Sequence, residues 1–292
     1  MNWNSRRITA ILSNALLEDQ ATRDATTLAT VDPQQKAVAT ILAKEDCVLA
    51  GIASIQRIFE VFAELEGESR AYPEVSIPQE MFDGVRVRKG ESLASIRHNG
   101  RVLLSCERLI LNLMQHLSGI ATMTRKYVDA VEGTEAKILD TRKTVPGLRL
   151  LEKYAVRCGG GFNHRLDLSD GILVKNNHID LAGSVRIAVE RALANRKGEQ
   201  PVEVEVRDMK ELEAALKYGA ESILLDNLTV AQTQAAVAHI RLEARDMKIE
   251  SSGGITIENV REYAEAGVDY ISVGALTHSA RFVNLSMRIE PA

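Results

Sequence analysis

Cationic side chains suited to binding a small anion are concentrated in the second half of the chain. Arg142 and Lys143 follow the apolar pair Ile138-Leu139, and Lys175 follows the run Ile172–Val174. Arginine offers a planar fork to a carboxylate or phosphate, and lysine offers a compact point charge. An Arg-Lys pair in a turn is usually only solvated, but a position directly after a strand favours a binding role.

A second cationic group follows three consecutive glycines, Gly159 to Gly161. Such a stretch lets the backbone approach a ligand closely, although a merely flexible loop has the same composition. His164 and Arg165 come soon after it and add an imidazole and a guanidinium. We therefore interpret the segment as a binding loop.

Two acidic side chains carry charge opposite to that of these cations. Glu203 and Glu205 alternate with valines in Val202–Val206 and share one face of a predicted strand, with Glu205 nearer its carboxyl end. Asp226 ends the next apolar run. Glu205 and Asp226 could hold ribose hydroxyls, bind Mg²⁺ through water, or stabilise positive charge developing on a sugar. A structural salt bridge from Glu205 to Lys175 is the alternative.

Small residues follow the last two apolar runs: Ser252, Gly253 and Gly254 in one loop and Gly274 in the other. Late loops of an α/β barrel that combine glycines with the start of a helix commonly cradle a phosphate. The cations, the acids and these loops together predict a strongly anionic small substrate that carries phosphates and carboxylates.

From about residue 137 onward, short apolar runs alternate with stretches of helical period, which is typical of a parallel sheet with crossover helices. The runs are Ile138-Leu139, Ile172–Val174, Val202–Val206, Ile223–Leu225, Ile249 and Ile271–Val273, and the helical stretches are Val185–Ala194, Leu212–Lys217, Val230–Leu242 and Val260–Ala266. Polar residues follow every run, whereas a doubly wound sheet uses only the loops near its switch point. We therefore expect an open, incomplete α/β barrel with fewer than eight parallel strands.

The first half of the chain mixes helical and short-strand patterns and predicts an α+β domain. A helix is expected at Ile8–Leu17, and extended segments at Cys47–Ile52 and Asp83–Gly90. A long helix over Leu103–Val131, with one apolar face, is expected to link the two domains.

Composition excludes several classes of protein. The 292 residues carry a formal net charge of -4 with Lys and Arg spread along the chain, so nucleic acid is not an expected partner. The three cysteines, Cys47, Cys106 and Cys158, form no CxxC pair, which argues against structural zinc or a disulfide framework. No run approaches the roughly 18 apolar residues of a membrane helix. We expect a soluble, cytoplasmic protein without a membrane partner.

Collinear motifs along nearly the whole chain resemble the quinolinate phosphoribosyltransferase family of type II phosphoribosyltransferases. The most specific are Glu107-Arg108, Leu111–Leu113, Leu117–Thr122, Asp140–Gly147, Gly159–Arg165, Lys175–His178, Glu250–Gly254 and Val273–Ser279. The resemblance implies an N-terminal α/β sandwich domain, taken as residues 1–115, and an open barrel domain, taken as 116–276. Residues 277–292 are expected to pack back on the first domain.

The same resemblance implies roles for individual residues. Arg108 would reach into the active site of a neighbouring subunit in a homodimer or higher oligomer with shared sites. Arg142, His164 and Arg165 would hold the carboxylates of quinolinate. The remaining roles are Lys143 and Lys175 near pyrophosphate and pyridine, Glu205 and Asp226 at the ribose and, through water, at a metal, and Ser252, Gly253, Gly254 and Gly274 around the 5-phosphate. Lys143, Lys175, Glu205 and Asp226 are the expected catalytic set.

The implied reaction transfers the 5-phosphoribosyl group of phosphoribosyl pyrophosphate to the quinolinate nitrogen, with loss of CO₂, giving nicotinate mononucleotide in NAD biosynthesis. It uses Mg²⁺ with the pyrophosphate and no organic cofactor. The chain departs from the family pattern at four positions: Ala21 and Arg23 replace usual glycines, and Asn176 and Asn284 replace frequent aspartates.

Three other hypotheses stay open from the sequence. A related transferase would use nicotinate or another base, and the cationic trio of Arg142, His164 and Arg165 speaks against it. A phosphate-binding barrel lyase or isomerase would share the late glycine loops but not the Arg108 segment. A non-catalytic descendant would not need both acids and all the cations.

Overall fold

The structure is a computed structural model and describes residues 1–67 and 72–292. Its α-helices are α1 Arg6–Glu18, α2 Ala25–Thr30, α3 Ser54–Glu66, α4 Gly100–Ala130, α5 Arg149–Cys158, α6 Asn176–Ala182, α7 Val185–Asn195, α8 Met209–Lys217, α9 Val230–Glu243, α10 Val260–Glu265 and α11 Ala275–His278. A 3-10 turn covers Ala21–Arg23. None of these described helices has both the length and the apolar content needed to cross a bilayer.

The β-strands are β1 Lys36–Ala43, β2 Cys47–Val48, β3 Glu74–Ser76, β4 Arg86–Val87, β5 Ser92–Asn99, β6 Lys137–Leu139, β7 Ile172–Val174, β8 Val202–Val206, β9 Ser222–Asp226, β10 Lys248–Ser252, β11 Tyr270–Ser272 and β12 Leu285–Pro291. The chain forms two compact units. The first unit comprises Met1–Met123, Val145–Gly160 and Ala280–Ala292, and the second comprises Thr124–Thr144 and Gly161–Ser279.

The first unit contains an antiparallel sheet in the order β12-β1-β5-β3. Strand β1 pairs along its length with both β12 and β5, and its side chains alternate between buried and more exposed positions. That alternation is the pattern of a sheet with one face on a core. Helix α3 buries Ile55, Ile58 and Phe59 on one side. The predicted α+β character of this half is confirmed.

Strand β2 is shorter than the predicted extended segment Cys47–Ile52, and side-chain hydroxyls bind the backbone of this segment along one edge. The Val48 N–H donates to Thr122 Oγ1 at 2.8 Å, and the Ala50 N–H donates to Ser118 Oγ at 2.9 Å. The Leu49 N–H between them donates to the Val85 carbonyl oxygen at 2.9 Å. A backbone donor bound to a side chain is no longer available to a neighbouring strand. Both hydroxyls come from α4, so the helix covers one edge of this segment.

Between those two hydroxyl residues, Gly119 permits a close backbone approach. A Cβ atom at this position would lie 2.0 Å from the carbonyl oxygen of Arg281. No side chain fits at that distance unless the backbone at Arg281 moves. Position 119 therefore requires glycine, because the segment that leads into β12 packs its backbone against the helix here.

The second unit is built on a parallel sheet of six strands in the order β6-β11-β10-β9-β8-β7. Within the described residues β6 and β7 do not pair with one another, so the sheet is not closed. Phe162 adds an isolated parallel bridge beside Leu139, which extends the β6 edge. The predicted open barrel with fewer than eight parallel strands is confirmed.

Three crossover helices of the second unit, α7, α8 and α9, begin at residues whose side chains cap them. Ser184 accepts from the Ile187 N–H, Asp208 from the Glu211 N–H, and Thr229 from the Gln232 N–H. Each cap satisfies one N–H that the first turn of a helix leaves unpaired. The sequence pattern predicted helices at all of these places.

The parallel register places polar side chains in two rows on the inner face of the sheet. Glu205 and Glu250 both register with Leu224 and form a deeper row. Ser252 registers with Asp226 on one side and with Ser272 on the other, one step nearer the carboxyl ends. Residues in register share a face, so these side chains converge at one edge.

We expect Gly119→Ala to destabilise the protein by about 3 kcal/mol, because the added methyl group overpacks a backbone contact. Urea unfolding of the wild type and the variant measures the difference in the free energy of unfolding. Gly171→Ala is the matched control, since its added Cβ atom meets nothing within 4 Å and its φ is not positive. Equal midpoints for Gly119→Ala and wild type would contradict the close approach.

Candidate active site

A cavity of about 630 Å³ opens at the carboxyl ends of the parallel strands. We call it the strand-end cavity. The predicted site residues that line it are Arg142, Lys143, His164, Arg165, Lys175, Glu205, Asp226, Ser252, Gly253, Gly254 and Gly274. These residues come from segments spread over more than a hundred positions of sequence. The parallel sheet thus brings them together as the strand-end argument predicted.

Arg108 does not line this cavity within the described chain. It lies on α4 in the first unit and lines a pocket with Asp19, Arg23, Asp24 and Glu107. Asp24 caps α2 by accepting the Thr27 N–H at 3.0 Å. Arg23, one of the departures from the family pattern, is part of this pocket. The predicted reach of Arg108 into another subunit stays a prediction.

An ion pair joins two residues of the strand-end cavity that come from the neighbouring strands β7 and β8. Lys175 Nζ lies 2.5 Å from Glu205 Oε2, and the Glu205 side chain is 7% exposed while that of Lys175 is 43% exposed. The salt bridge weighed as an alternative from the sequence is therefore present. A buried carboxylate needs such a partner, and Lys175 still presents its exposed part to the cavity.

Two guanidinium groups lie on the same side of the cavity. Burial lowers the pKa of Arg165, and the positive charge of Arg142 lowers it further, against the opposing charges of Glu203 and Asp170. Like charges held near each other favour the binding of an anion that neutralises both. Arg165 also donates to the Gly171 carbonyl oxygen at 3.0 Å, which fixes one end of its fork.

Asp140 holds the loop that presents His164, and it is not among the predicted site residues. It is fully buried directly after β6. One of its oxygens accepts the His164 N–H at 2.9 Å, and the other accepts from Asn163 Nδ2 at 2.5 Å. Its place after a buried strand is the sequence signal that points to it.

The His164 ring has a defined tautomer. Its Nδ1 accepts the backbone N–H of Arg165 at 2.6 Å, so the proton of the neutral ring is on Nε2. Nε2 lies 3.3 Å from Glu203 Oε2 and 3.5 Å from Glu250 Oε2. Both ring nitrogens therefore already have protein partners.

Glu203 and Glu250 form an acidic pair beneath that ring and were not among the predicted site residues. Burial raises the pKa of Glu250 to about 7, with a further contribution from the charge of Glu203 and an opposing one from His164. Glu250 lines the strand-end cavity. In the sequence, Glu250 and the predicted site residue Ser252 are two positions apart in one strand, so their side chains share a face. The strand register places Glu205 on that face as well.

His164, Glu203 and Glu250 also form a group whose potential ligand atoms all lie within 4.8 Å of one another. The predicted metal residues, Glu205 and Asp226, are not part of that group. Their carboxylate oxygens are nevertheless the donors that a hard cation such as Mg²⁺ prefers, and both line the cavity. The donor set at the cavity edge fits the expected ion.

Two glycines of the cavity wall are required by close contacts. At Gly253, where φ is +90°, a Cβ atom would lie 2.3 Å from Asn227 Oδ1. At Gly274 it would lie 3.1 Å from Lys143 Cδ and 3.1 Å from His278 Nε2. His278 lines the cavity and was missed, although it falls within the motif Val273–Ser279.

Comparison with known protein families agrees with this architecture. The model described as "Quinolinate phosphoribosyl transferase, N-terminal domain" matches residues 24–118, and "Quinolinate phosphoribosyl transferase, C-terminal domain" matches residues 120–288. The two matches together extend over most of the chain.

Individual relatives are similar over comparable lengths. The nicotinate-nucleotide pyrophosphorylase [carboxylating] of Mycobacterium leprae is 45% identical over 90% of this chain and 90% of its own. A probable enzyme of the same name from Bacillus subtilis is 40% identical over 98% of this chain and 94% of its own. The crystal structure of NadC from Streptococcus pyogenes superposes with a TM-score of 0.89 at 41% identity, covering 98% of this chain and 97% of that one. The chain belongs to the quinolinate phosphoribosyltransferase family.

Proposed function

We propose that this protein is a pentosyltransferase that joins quinolinate to the 5-phosphoribosyl group of phosphoribosyl pyrophosphate and releases pyrophosphate and CO₂. The product is nicotinate mononucleotide, and the reaction belongs to de novo NAD biosynthesis. The observation that carries the proposal is the convergence of cations, two acids and glycine loops in the strand-end cavity. The names of the relatives support the same reaction.

The charge distribution of the cavity supports a substrate pair with several anionic groups. Of the three residues expected at the carboxylates of quinolinate, Arg142 and Arg165 bind them, which relieves the repulsion between the guanidinium groups. Both ring nitrogens of His164 have protein partners, so we give His164 no direct carboxylate contact. Lys143 and Lys175 lie near pyrophosphate and the pyridine. Ser252, Gly253, Gly254 and Gly274 surround the 5-phosphate, where the absence of side chains at the glycines lets backbone groups approach it.

Glu205 and Asp226 act at the ribose. The pyridine nitrogen attacks the anomeric carbon as pyrophosphate leaves, and positive charge develops on the sugar. The two carboxylates stabilise that charge, and no side-chain nucleophile is needed. Lys175 pairs with Glu205 through the 2.5 Å contact between them.

We assign Mg²⁺ to this same edge, held by Glu205 and Asp226 through water. When bound, the ion neutralises the charge of the departing pyrophosphate. No organic cofactor takes part in the proposed reaction. The protein works in the cytoplasm.

A homodimer or larger oligomer completes the proposed site. Arg108 lies outside the strand-end cavity of its own chain and extends into that of a neighbouring subunit, where it adds another cation for the quinolinate. The assignment of Arg108 rests on the family resemblance. The residues that line the Arg108 pocket all belong to the first unit.

A related transferase acting on nicotinate is the second candidate. It would leave one of the two arginines without a carboxylate partner, and the lowered pKa of Arg165 beside Arg142 argues against that arrangement. The deciding assay supplies phosphoribosyl pyrophosphate and Mg²⁺ with either quinolinate or nicotinate. We expect mononucleotide and CO₂ in equal amounts from quinolinate alone, and product from nicotinate would favour the second candidate.

We expect Arg142→Ala to lower kcat/KM for quinolinate on the order of 100-fold, or about 3 kcal/mol, because it removes charge-assisted hydrogen bonds to a carboxylate. Steady-state kinetics with varied quinolinate measures the loss. The control is Arg186→Ala, which removes an arginine whose guanidinium lies 5.9 Å from the centre of the Tyr218 ring, outside the cavity lining. Unchanged kinetics for Arg142→Ala would exclude the dicarboxylate assignment.

Shared sites predict complementation between two inactive variants. Arg108→Ala and Lys175→Ala should each be inactive alone, because each lacks one cation of every site. Mixed under conditions that exchange subunits, they should recover about a quarter of wild-type activity in a random dimer population, since half the dimers then hold one intact site. Size-exclusion chromatography checks the exchange, and no recovery despite exchange would place Arg108 outside the neighbour's site.

A further inference from the structure

The proposed reaction creates a demand for a proton that none of the assigned residues meets. When the bond between C2 of the pyridine and its carboxylate breaks, CO₂ leaves and the electron pair stays on C2. That carbon takes up one proton as CO₂ leaves, in the same step, while the ring nitrogen keeps its positive charge through the new bond to the ribose. A suitable donor is an acid that is still protonated near neutral pH and lies in the cavity.

We propose that Glu250, positioned by His164, is the acid that donates this proton to C2. The role rests on the proposed function and adds a catalytic residue to it. Glu250 lines the strand-end cavity and lies in the same inner row of the sheet as Glu205, through their shared partner Leu224. It therefore occupies the floor of the cavity in which the substrates react.

His164 has the protonation state that this role requires. Because Nδ1 accepts the Arg165 N–H, the Nε2–H points towards Glu203 and Glu250. That N–H stabilises the carboxylate that Glu250 becomes after it gives up its proton. Water returns the proton to Glu250 once product has left. The step thus breaks the C2–carboxylate and Glu250 O–H bonds and forms one C2–H bond.

The surroundings of Glu250 make it an acid of the required strength. Its pKa of about 7 reflects burial first and then the charge of Glu203 on β8, while His164 and Lys175 act in the opposite direction. Its raised pKa favours the protonated form of Glu250 nearer neutral pH than for an ordinary glutamate. Arg142 and Arg165, which bind the carboxylates in the proposed complex, line the same cavity as Glu250. Arg165 directly follows His164, whose Nε2 lies 3.5 Å from Glu250 Oε2.

The same three side chains could be taken for a metal site, but the tautomer argues against it. A metal on Nε2 requires that nitrogen to be free of hydrogen, and the ring would then carry its proton on Nδ1. Nδ1 faces the Arg165 N–H at 2.6 Å and has no room for a hydrogen. The geometry is that of a histidine donating to an acidic pair.

The test is Glu250→Gln, which keeps the shape of the side chain and removes the acidic proton. In a single turnover with quinolinate labelled in its 2-carboxylate, pyrophosphate and labelled CO₂ are followed together. We expect pyrophosphate formation within about threefold of wild type and CO₂ release slowed by at least about 30-fold, with a dicarboxylate mononucleotide accumulating. In wild type the rate of CO₂ release should fall as the pH rises through about 7, and the variant should lack this dependence.

Glu250→Asp is the conservative variant and should recover part of the CO₂ release together with its pH dependence. Glu152→Gln is the matched control, because Glu152 is also fully buried and pairs with a histidine, His116, at 2.8 Å, but does not line the strand-end cavity. In this control, pyrophosphate and CO₂ should appear together as in wild type. Thermal unfolding confirms that each variant folds.

We also expect a defined direction for the pH dependence of thermal stability. Because the folded protein raises the pKa of Glu250 above the ordinary 4.5, folding is favoured by the protonated form, and wild-type stability from this group is lost between pH 4.5 and about 7. Glu250→Gln should not show that loss, so above pH 7 it should melt no lower than wild type.

Two results would overturn the role of Glu250. CO₂ release from Glu250→Gln at the wild-type rate and with the wild-type pH dependence would show that another group protonates C2. An equal loss of pyrophosphate and CO₂ would place Glu250 in substrate binding or in the first step. If the wild-type protein forms no pyrophosphate with quinolinate, the proposed function itself is wrong. The wild-type reaction therefore tests the proposed function separately from the role of Glu250.

Discussion

The candidate site depends on one constraint, which is that parallel strands in register end at the same edge of their sheet. Six strands of the second unit obey it, and each brings residues from a different part of the chain to that edge. The register determines which side chains lie close together, and it also determines how far each one lies from the cavity opening. Glu205 and Glu250 share one row, whereas Asp226 and Ser252 share the next row towards the opening.

The nearest side chains separate the electrostatic environments of the two acids in the deeper row. Glu205 pairs with the ammonium group of Lys175. Glu250 lies beside Glu203 and the His164 ring, and burial together with the charge of Glu203 outweighs the opposing effects of His164 and Lys175, so the pKa of Glu250 rises to about 7. Two carboxyls in one row of the sheet thus have different electrostatic environments because of the side chains nearest to each.

The sequence predicted the barrel half of the molecule well, since apolar runs and helical periods depend only on residues close together in the chain. It likewise predicted half of the residues that line the cavity, because a residue directly after a strand has to lie at the strand-end edge. It did not predict Glu250 as a site residue or the tautomer of His164. Both depend on which strands become neighbours, and the pairing of β10 with β9 is not visible in either segment alone. The bond from the Ala50 N–H to a hydroxyl of α4 was not predicted for a similar reason, as Ser118 and Ala50 are distant in sequence.

Strand β12 belongs to the sheet of the first unit but follows the whole second unit in the chain. Its pairing partner β1 is complete after residue 43, so during synthesis one edge of β1 waits until residues 285–291 have left the ribosome. An unpaired strand edge is a template for association with other chains. The order of elements along the chain therefore leaves this strand edge unpaired until the whole second unit has been synthesised, and the seven-residue strand β12 then covers it.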